Sequence, residues 1–225
     1  MSFKAENRTK WDVLYDPNKK SLFAKLEEKA ISWYFARAFE KSILSVSNIK
    51  NSKILEPGCG SGLATAMLAQ RGNDVTLFDL SYNALKKALS VFEELSLDCK
   101  FVLGDLFHLP FQNNQFDLVF NQGVMEHFKL AGLDPSLGLK EMLRVLKKNG
   151  TLVILVPAYF SPLFFVYSFF KYFNLIEKYW PYEDQEFLHK RELYEMMQKC
   201  GCKNIVVRRL WSSFFFSLIG YCKKE

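Results

Sequence analysis

The sequence predicts an α/β fold, a doubly wound seven-stranded sheet that is mostly parallel with one antiparallel strand near the C-terminus. Three observations carry that expectation. Lys53–Gly62 runs from a short apolar stretch through an acid, Glu56, to glycines at 58, 60 and 62, and Leu63 to Arg71 then reads as a helix. A strand, a glycine turn and a helix start is how an α/β fold presents backbone N–H groups to a ligand. Further apolar runs of strand length alternate with helical patterns, which calls for parallel strands joined by crossovers. The last two runs are separated by a short turn only, so they pair antiparallel.

In order, residues 1–20 read as charged and irregular, with a Trp11–Tyr15 aromatic pair and an Asp16-Pro17-Asn18 turn. Leu22 to Val46 follows as one or two helices, an N-terminal helical cap over about residues 20–46. Val75–Asp79 is the second strand and ends on an acid, and Ser81 caps a helix from Tyr82 to about Leu95. Cys99–Leu103 and Phe116–Phe120 are the third and fourth strands. Pro135 to Leu146 is a helix closed by Lys147-Lys148-Asn149-Gly150, with Asn-Gly as a left-handed stop. Thr151–Val156 is the fifth strand, Glu192–Cys200 a helix, and Asn204–Leu210 and Phe214–Cys222 the closing pair.

The 225 residues suit a single domain over 1–225. A net charge of +6 without a dense basic run is weak grounds for a nucleic-acid partner. The five cysteines are odd in number and lack Cys-x-x-Cys spacing, so neither a metal site nor a disulfide framework is expected. With a polar, charged N-terminus, this favours a cytoplasmic setting. Thr151 to Phe170 is uncharged for twenty residues, but Pro157 and Pro162 break it and its start is better read as a buried strand.

The chain resembles the class I S-adenosylmethionine-dependent methyltransferases, whose fold is Rossmann-like, and in particular those acting on small molecules such as quinone precursors. The resemblance rests on Ile54-Leu55-Glu56-Pro57-Gly58-Cys59-Gly60-Ser61-Gly62, Phe78-Asp79-Leu80-Ser81, Gly104-Asp105-Leu106, Phe116-Asp117-Leu118-Val119 and Asn149-Gly150-Thr151-Leu152, in that order. It implies S-adenosyl-L-methionine as cofactor. Glu56 would hold the methionine amino group, and Gly58, Cys59, Gly60 and Gly62 would form the loop beneath the cofactor. Asp79 would accept from the ribose hydroxyls and Leu80 would pack on the adenine. Asp105 would accept from the adenine amine, Leu106 would offer its N–H, and Asn121 and Gln122 would meet the methionine portion. The residues themselves argue against a dinucleotide. The glycines follow G-x-G-x-G, and a carboxylate in front of them repels a pyrophosphate but attracts a cation.

The acceptor is less legible. His127, after the fourth strand, is the candidate general base, and ordering of its own loop by Glu126-His127 is the equal alternative. His108 and His189 are poorer candidates. Asn121-Gln122-Gly123-Val124 differs from the Asn/Asp-Pro-Pro-aromatic motif of nucleic-acid amino-methyltransferases, so DNA is not an expected partner and RNA is a weak one. From Ala158 to Tyr182, 12 of 25 residues are aromatic. An insert of that composition (about 158–185) at the C-terminal end of the fifth strand suits an apolar lid over a lipophilic or aromatic acceptor. Docking to a partner or a membrane surface is its alternative use. The two function classes left open are an enzyme methylating a hydrophobic small molecule, and an RNA or protein methyltransferase or non-catalytic cofactor-binding module.

Overall fold

The computed structural model describes residues 3–16, 22–129, 131–176, 185–213 and 216–225. Its sheet strands are β1 (Lys53–Pro57), β2 (Asp74–Asp79), β3 (Lys100–Leu103), β4 (Phe116–Gln122), β5 (Leu146–Pro157), β6 (Val206–Arg209) and β7 (Ser217–Lys223). They lie in the order β3-β2-β1-β4-β5-β7-β6. All neighbours are parallel except β7, which runs antiparallel to both β5 and β6.

The helices are α1 (Phe3–Leu14), α2 (Leu22–Val46), α3 (Leu63–Ala69), α4 (Tyr82–Glu94), α5 (Pro135–Val145), α6 (Pro162–Tyr172) and α7 (Lys190–Lys199). Successive strand residues point to opposite faces, so the central strands must be apolar at every position to be buried on both sides. Ile54, Leu118, Val153 and Leu155 pack with Phe39 and Ile43 of α2, Leu68 of α3 and Phe92 of α4. Leu55, Val119, Leu152 and Ile154 pack with Leu139 and Met142 of α5 and Leu193 and Met197 of α7. Strand order reverses between β1 and β4, and in open α/β sheets the crevice above such a point is where ligands bind.

Three local expectations are corrected, and one open choice, between one helix and two over 22–46, is decided. Residues 3–14 are not irregular but helical, and Trp11, Asp12 and Tyr15, which fall about one turn apart at its end, anchor that helix beside the sheet's C-terminal edge. The segment 22–46 is a single helix of 25 residues. The helix after the glycine turn stops at Ala69, two residues early. Asn149-Gly150 does not terminate α5, which ends at Val145. β5 begins at once, and its register against β4 jumps between Phe116–Leu146 and Leu118–Thr151, so Lys147 to Gly150 form a bulge opposite Asp117. Asn149 supplies the left-handed residue of that bulge (φ 63°), and Lys147 Nζ lies 2.7 Å from Asp117 Oδ1.

Candidate functional site

Gly58, Gly60 and Gly62 all have positive φ, of 73°, 53° and 64°. An L side chain is strained in that region, which is why the turn leaving β1 uses glycine at every second position. The turn is held against β2: Gly58 and Cys59 both donate to the Phe78 carbonyl, at 2.7 and 3.2 Å. Gly60 N–H donates to Asp79 Oδ2 at 3.0 Å and Ser81 N–H to Oδ1 at 2.9 Å. The first glycine turn and the last residue of β2 are therefore one hydrogen-bonded unit.

These groups form one wall of a cavity of about 980 Å³ at the β1/β4 switch point. Glu56, Gly58, Cys59, Gly60, Asp79 and Leu80 line it, with Asp105 and Leu106 from the end of β3 and Gln122 and His127 from the end of β4. Ten of the twelve expected site residues thus meet in one space, and two do not. Gly62 faces the helix layer, where a Cβ would come within 2.8 Å of Leu77 Cδ1 and 3.3 Å of the Ala88 Cβ. Asn121 is fully buried on the α5 side, its Nδ2 3.7 Å from Met142 Sδ.

Two buried carboxylates dominate the electrostatics. Burial pushes the Glu56 carboxyl up to about 8, against the hydrogen bond from Thr65 Oγ1 at 2.5 Å that favours ionisation, and the Asp79 charge raises it further. Asp79 is also shifted upward, first by burial; its backbone donors oppose the shift and Asp12 adds to it. Burial likewise raises the Cys59 thiol, which disfavours the thiolate form. Asp105 accepts from the Phe107 N–H at 2.9 Å, which fixes its carboxylate at the rim.

The opposite wall is aromatic, and its composition is a surprise. Trp11 comes from α1 and Tyr15 from the turn just after it, Phe35 and Phe39 from α2, Phe128 from the loop after β4, and Phe216 from the approach to β7. Among the described residues of the segment 158–185, Leu163 and Gln185 alone reach this cavity, and none of the described aromatics of the insert lines it. Tyr179, Trp180 and Tyr182 lie outside the described residues. Trp11 and Tyr15 carried a usable signal, the four-residue spacing of one helical face; Phe35 and Phe39 share it. Thr65 and Phe216 carried none.

His127 is buried where the two walls meet. The Trp11 ring stands edge-on to its imidazole at 5.0 Å, and Nε2 lies 4.0 Å from Glu126 Oε1. His108 also borders the cavity, but its side chain is largely exposed beside Asp105. His189 stacks on Tyr159 at 4.1 Å and is not part of the cavity. Helix α1 closes the mouth. Asp12 Oδ1 accepts from Ser81 Oγ at 2.6 Å and from Asn83 N at 3.2 Å, and Tyr15 Oη lies where a Cβ on Gly60 would fall, 2.6 Å away.

Residues 55–154 match the model of a family described as a methyltransferase domain. Among curated proteins, 170 residues are 26% identical to the chloroplastic 2-methyl-6-phytyl-1,4-hydroquinone methyltransferase of Spinacia oleracea, covering 75% of this chain and 44% of that protein. The chain spans about half the length of the curated relatives it matches. Among solved structures, the S-adenosylmethionine-dependent methyltransferase of Thermotoga maritima, a possible histamine N-methyltransferase, superposes with a TM-score of 0.71 at 19% identity, over 96% of this chain and all of that one. The magnesium protoporphyrin IX methyltransferase of Synechocystis PCC 6803, solved with bound SAH, gives 0.67 at 17% identity over 99% and 96%. At these identities the structural likeness speaks for the fold.

Proposed function

We propose that the chain is a class I S-adenosylmethionine-dependent methyltransferase that transfers a methyl group from S-adenosylmethionine to a small hydrophobic acceptor, a reading supported by the match of residues 55–154 to a methyltransferase-domain model. The observation that carries this reading is the two-sided cavity, with buried carboxylates and glycines on one wall and aromatic rings on the other. A volume of about 980 Å³ lies at the upper end for a single drug-sized ligand, room for a cofactor and an acceptor together.

The donor set fits the cofactor. Asp79 accepts backbone N–H groups from Gly60 on Oδ2 and Ser81 on Oδ1, and a two-oxygen acceptor has lone pairs to spare for the ribose hydroxyls. Glu56 is a buried acceptor to which the cofactor's ammonium group brings the missing counter-charge. Asp105, the Leu80 side chain and the Leu106 backbone N–H would take the adenine end, and Gln122 the methionine portion. Gly62 supports the turn from below and Asn121 supports β4 from within. S-adenosylmethionine, when bound, supplies a methyl on a positively charged sulfur, open to in-line displacement. The chain's part is alignment, exclusion of water by Trp11, Tyr15 and Phe35, and a base at His127 Nε2 for an acceptor that must lose a proton. The name of the spinach relative, a prenylated hydroquinone methyltransferase, supports an aromatic, lipophilic acceptor with a hydroxyl or ring carbon as target.

Calorimetry tests the reading. S-adenosylmethionine or its demethylated product is expected to bind, and Asp79→Ala to weaken it about 100-fold by loss of two charge-assisted hydrogen bonds. Absence of binding to the intact protein would sink the proposal. His127→Ala is expected to lower the transfer rate to a phenolic acceptor by 10²–10⁴-fold, roughly the worth of a general base, with cofactor affinity unchanged. An unchanged rate removes the base and leaves alignment alone.

A further inference from the structure

Three of the five cysteines meet outside the cofactor cavity. Cys200 ends α7 as its C-cap, Cys202 lies two residues on, and Cys222 sits in β7. All three are buried in the core layer that holds Leu193 and Met197. Cys200 Sγ and Cys202 Sγ are 3.5 Å apart, and the Cys202 thiol also shares a hydrogen bond with that of Cys222. A buried cysteine by itself acts as a small apolar side chain. Two thiols in direct contact differ, because the loss of two electrons joins them. Among the described residues no group of His, Cys, Asp and Glu side chains is arranged to hold a metal ion, so the three thiols are not a ligand set.

The turn between Cys200 and Cys202 favours their pairing. Gly201 has a φ of 101°, a conformation open to glycine, which folds the chain back and sets the two side chains together. The Gly201 and Cys202 N–H groups donate to the Gln198 and Met197 carbonyls, at 3.0 and 3.2 Å, and hold that turn in place. Gly201 itself is exposed, and a Cβ on it would come no nearer to another group than 3.9 Å, at Leu143 Cδ2. A small oxidant therefore approaches the sulfurs through a turn that carries no side chain. Cys222 is sealed instead, fixed in the ladder opposite Leu152.

The two sulfurs are chemically unequal. The Met197 carbonyl, 3.0 Å from Cys200 Sγ, takes that thiol's hydrogen, so Cys202 donates in the 3.5 Å contact. The hydrogen bond from Cys202 holds the Cys200 thiol below its ordinary range, with burial opposing and backbone N–H groups assisting. Burial pushes Cys59 and Cys99 the other way. A thiolate-prone sulfur beside a resolving thiol is the arrangement that peroxides oxidise first.

We propose that Cys200 and Cys202 are a redox site, converted by a hydroperoxide into a reversible disulfide across Gly201. The Cys200 sulfur attacks the peroxide. An S–O bond forms, the O–O bond breaks, and the departing hydroxide leaves as water with the first thiol proton. The Cys202 sulfur then displaces the sulfenic oxygen. The S–S bond forms, the S–O bond breaks, and the second hydroxide leaves as water with the second thiol proton. One hydrogen peroxide is thereby reduced to two waters by the two electrons and two protons of the thiols. A disulfide closing so short a loop is strained, and a dithiol reopens it readily. The proposal is independent of the catalytic reading, since it is tested without cofactor or acceptor.

The test treats the intact protein with hydrogen peroxide, then alkylates the remaining thiols in denaturant and digests with trypsin. Cleavage after Lys199 and Lys203 releases both cysteines in one tetrapeptide, Cys200–Lys203, and leaves Cys222 in Leu210–Lys223. Mass spectrometry should find the tetrapeptide unalkylated and two hydrogens lighter than its dithiol, with dithiothreitol restoring both alkylated thiols. Cys59 and Cys99 should lose alkylation at least about tenfold more slowly. Cys222→Ser should leave the rate for the tetrapeptide unchanged. The main result is read on the wild type, so it does not depend on how a variant folds. A tetrapeptide that stays doubly alkylated while Cys59 is oxidised overturns the proposal. So does one that carries sulfinic or sulfonic acid without the disulfide, or one joined to Leu210–Lys223.

Discussion

Glu56 is the residue at which this site stores the most electrostatic tension. Its carboxyl stands at about 8 in the folded protein and near 4.5 when unfolded, chiefly because burial disfavours the charged form. The folded state therefore holds a proton that the unfolded chain gives up. The resulting stability is fully present below the ordinary glutamate value and is lost as pH rises through about 8. Urea titrations of the cofactor-free protein should show a decline over that interval, on the order of a few kcal/mol, and Glu56→Gln should flatten it. A bound cation reverses the preference. Cofactor binding near neutral pH should release about one proton, read by calorimetry in buffers of different ionisation heat. Gly62→Ala is a purely structural companion: at φ 64° with Leu77 Cδ1 2.8 Å from the new Cβ, it should cost roughly 1–3 kcal/mol in urea unfolding.

At the scale of elements, α1 is a clamp made of a few contacts. Asp12 ties it to the start of α4 through Ser81 and Asn83, while Trp11 and Tyr15 lay rings over His127 and the glycine turn. Asp12→Ala should cost about 1–2 kcal/mol, the worth of a lost cap, and speed cofactor release several-fold in stopped-flow displacement. Helix α2 is fixed differently. Its buried Glu40 meets the half-exposed Arg71 at 2.6 Å, joining the aromatic wall to the end of α3. Arg71→Ala leaves that carboxylate without its partner and should destabilise by roughly 1–3 kcal/mol. Cofactor affinity should change little, because Arg71 lies outside the cavity.

For the whole molecule, one sheet places every described part of the site along its C-terminal edge. The carboxylate wall is built from β1, β2 and β3 and the histidine from the loop after β4, whereas the aromatic wall comes from segments at both ends of the chain. Filling the cavity should therefore protect distant stretches together. Hydrogen exchange with the demethylated cofactor bound should slow in 11–15, 56–62 and 122–128, with exchange at the exposed Phe165, Phe169 and Tyr172 of α6 unchanged. Protection confined to the glycine turn would mean that α1 does not close over the ligand.

The sequence by itself determined what depends on short-range chemistry. Glycines at alternate positions, an acid before them and acids at the ends of β2 and β3 are constraints that a backbone turn and a strand terminus impose locally. Glu56, Asp79 and Asp105 could accordingly be singled out through the family resemblance those stretches carry, and the structure brings all three to one cavity. The alternating strands and helices and the antiparallel finish were legible for the same reason, through periodicity and connection length. What only the tertiary structure decided was how segments far apart in the chain share space. The richest aromatic stretch was the natural choice for the acceptor wall. Among the described residues, α1, α2, the segment just after α1 and the approach to β7 supply aromatic lining to the cavity, and α6 leaves Phe165, Phe169 and Tyr172 exposed. A ring packs equally well on a core, a ligand or a lipid, so composition locates a phenylalanine-rich stretch without naming what its rings will meet.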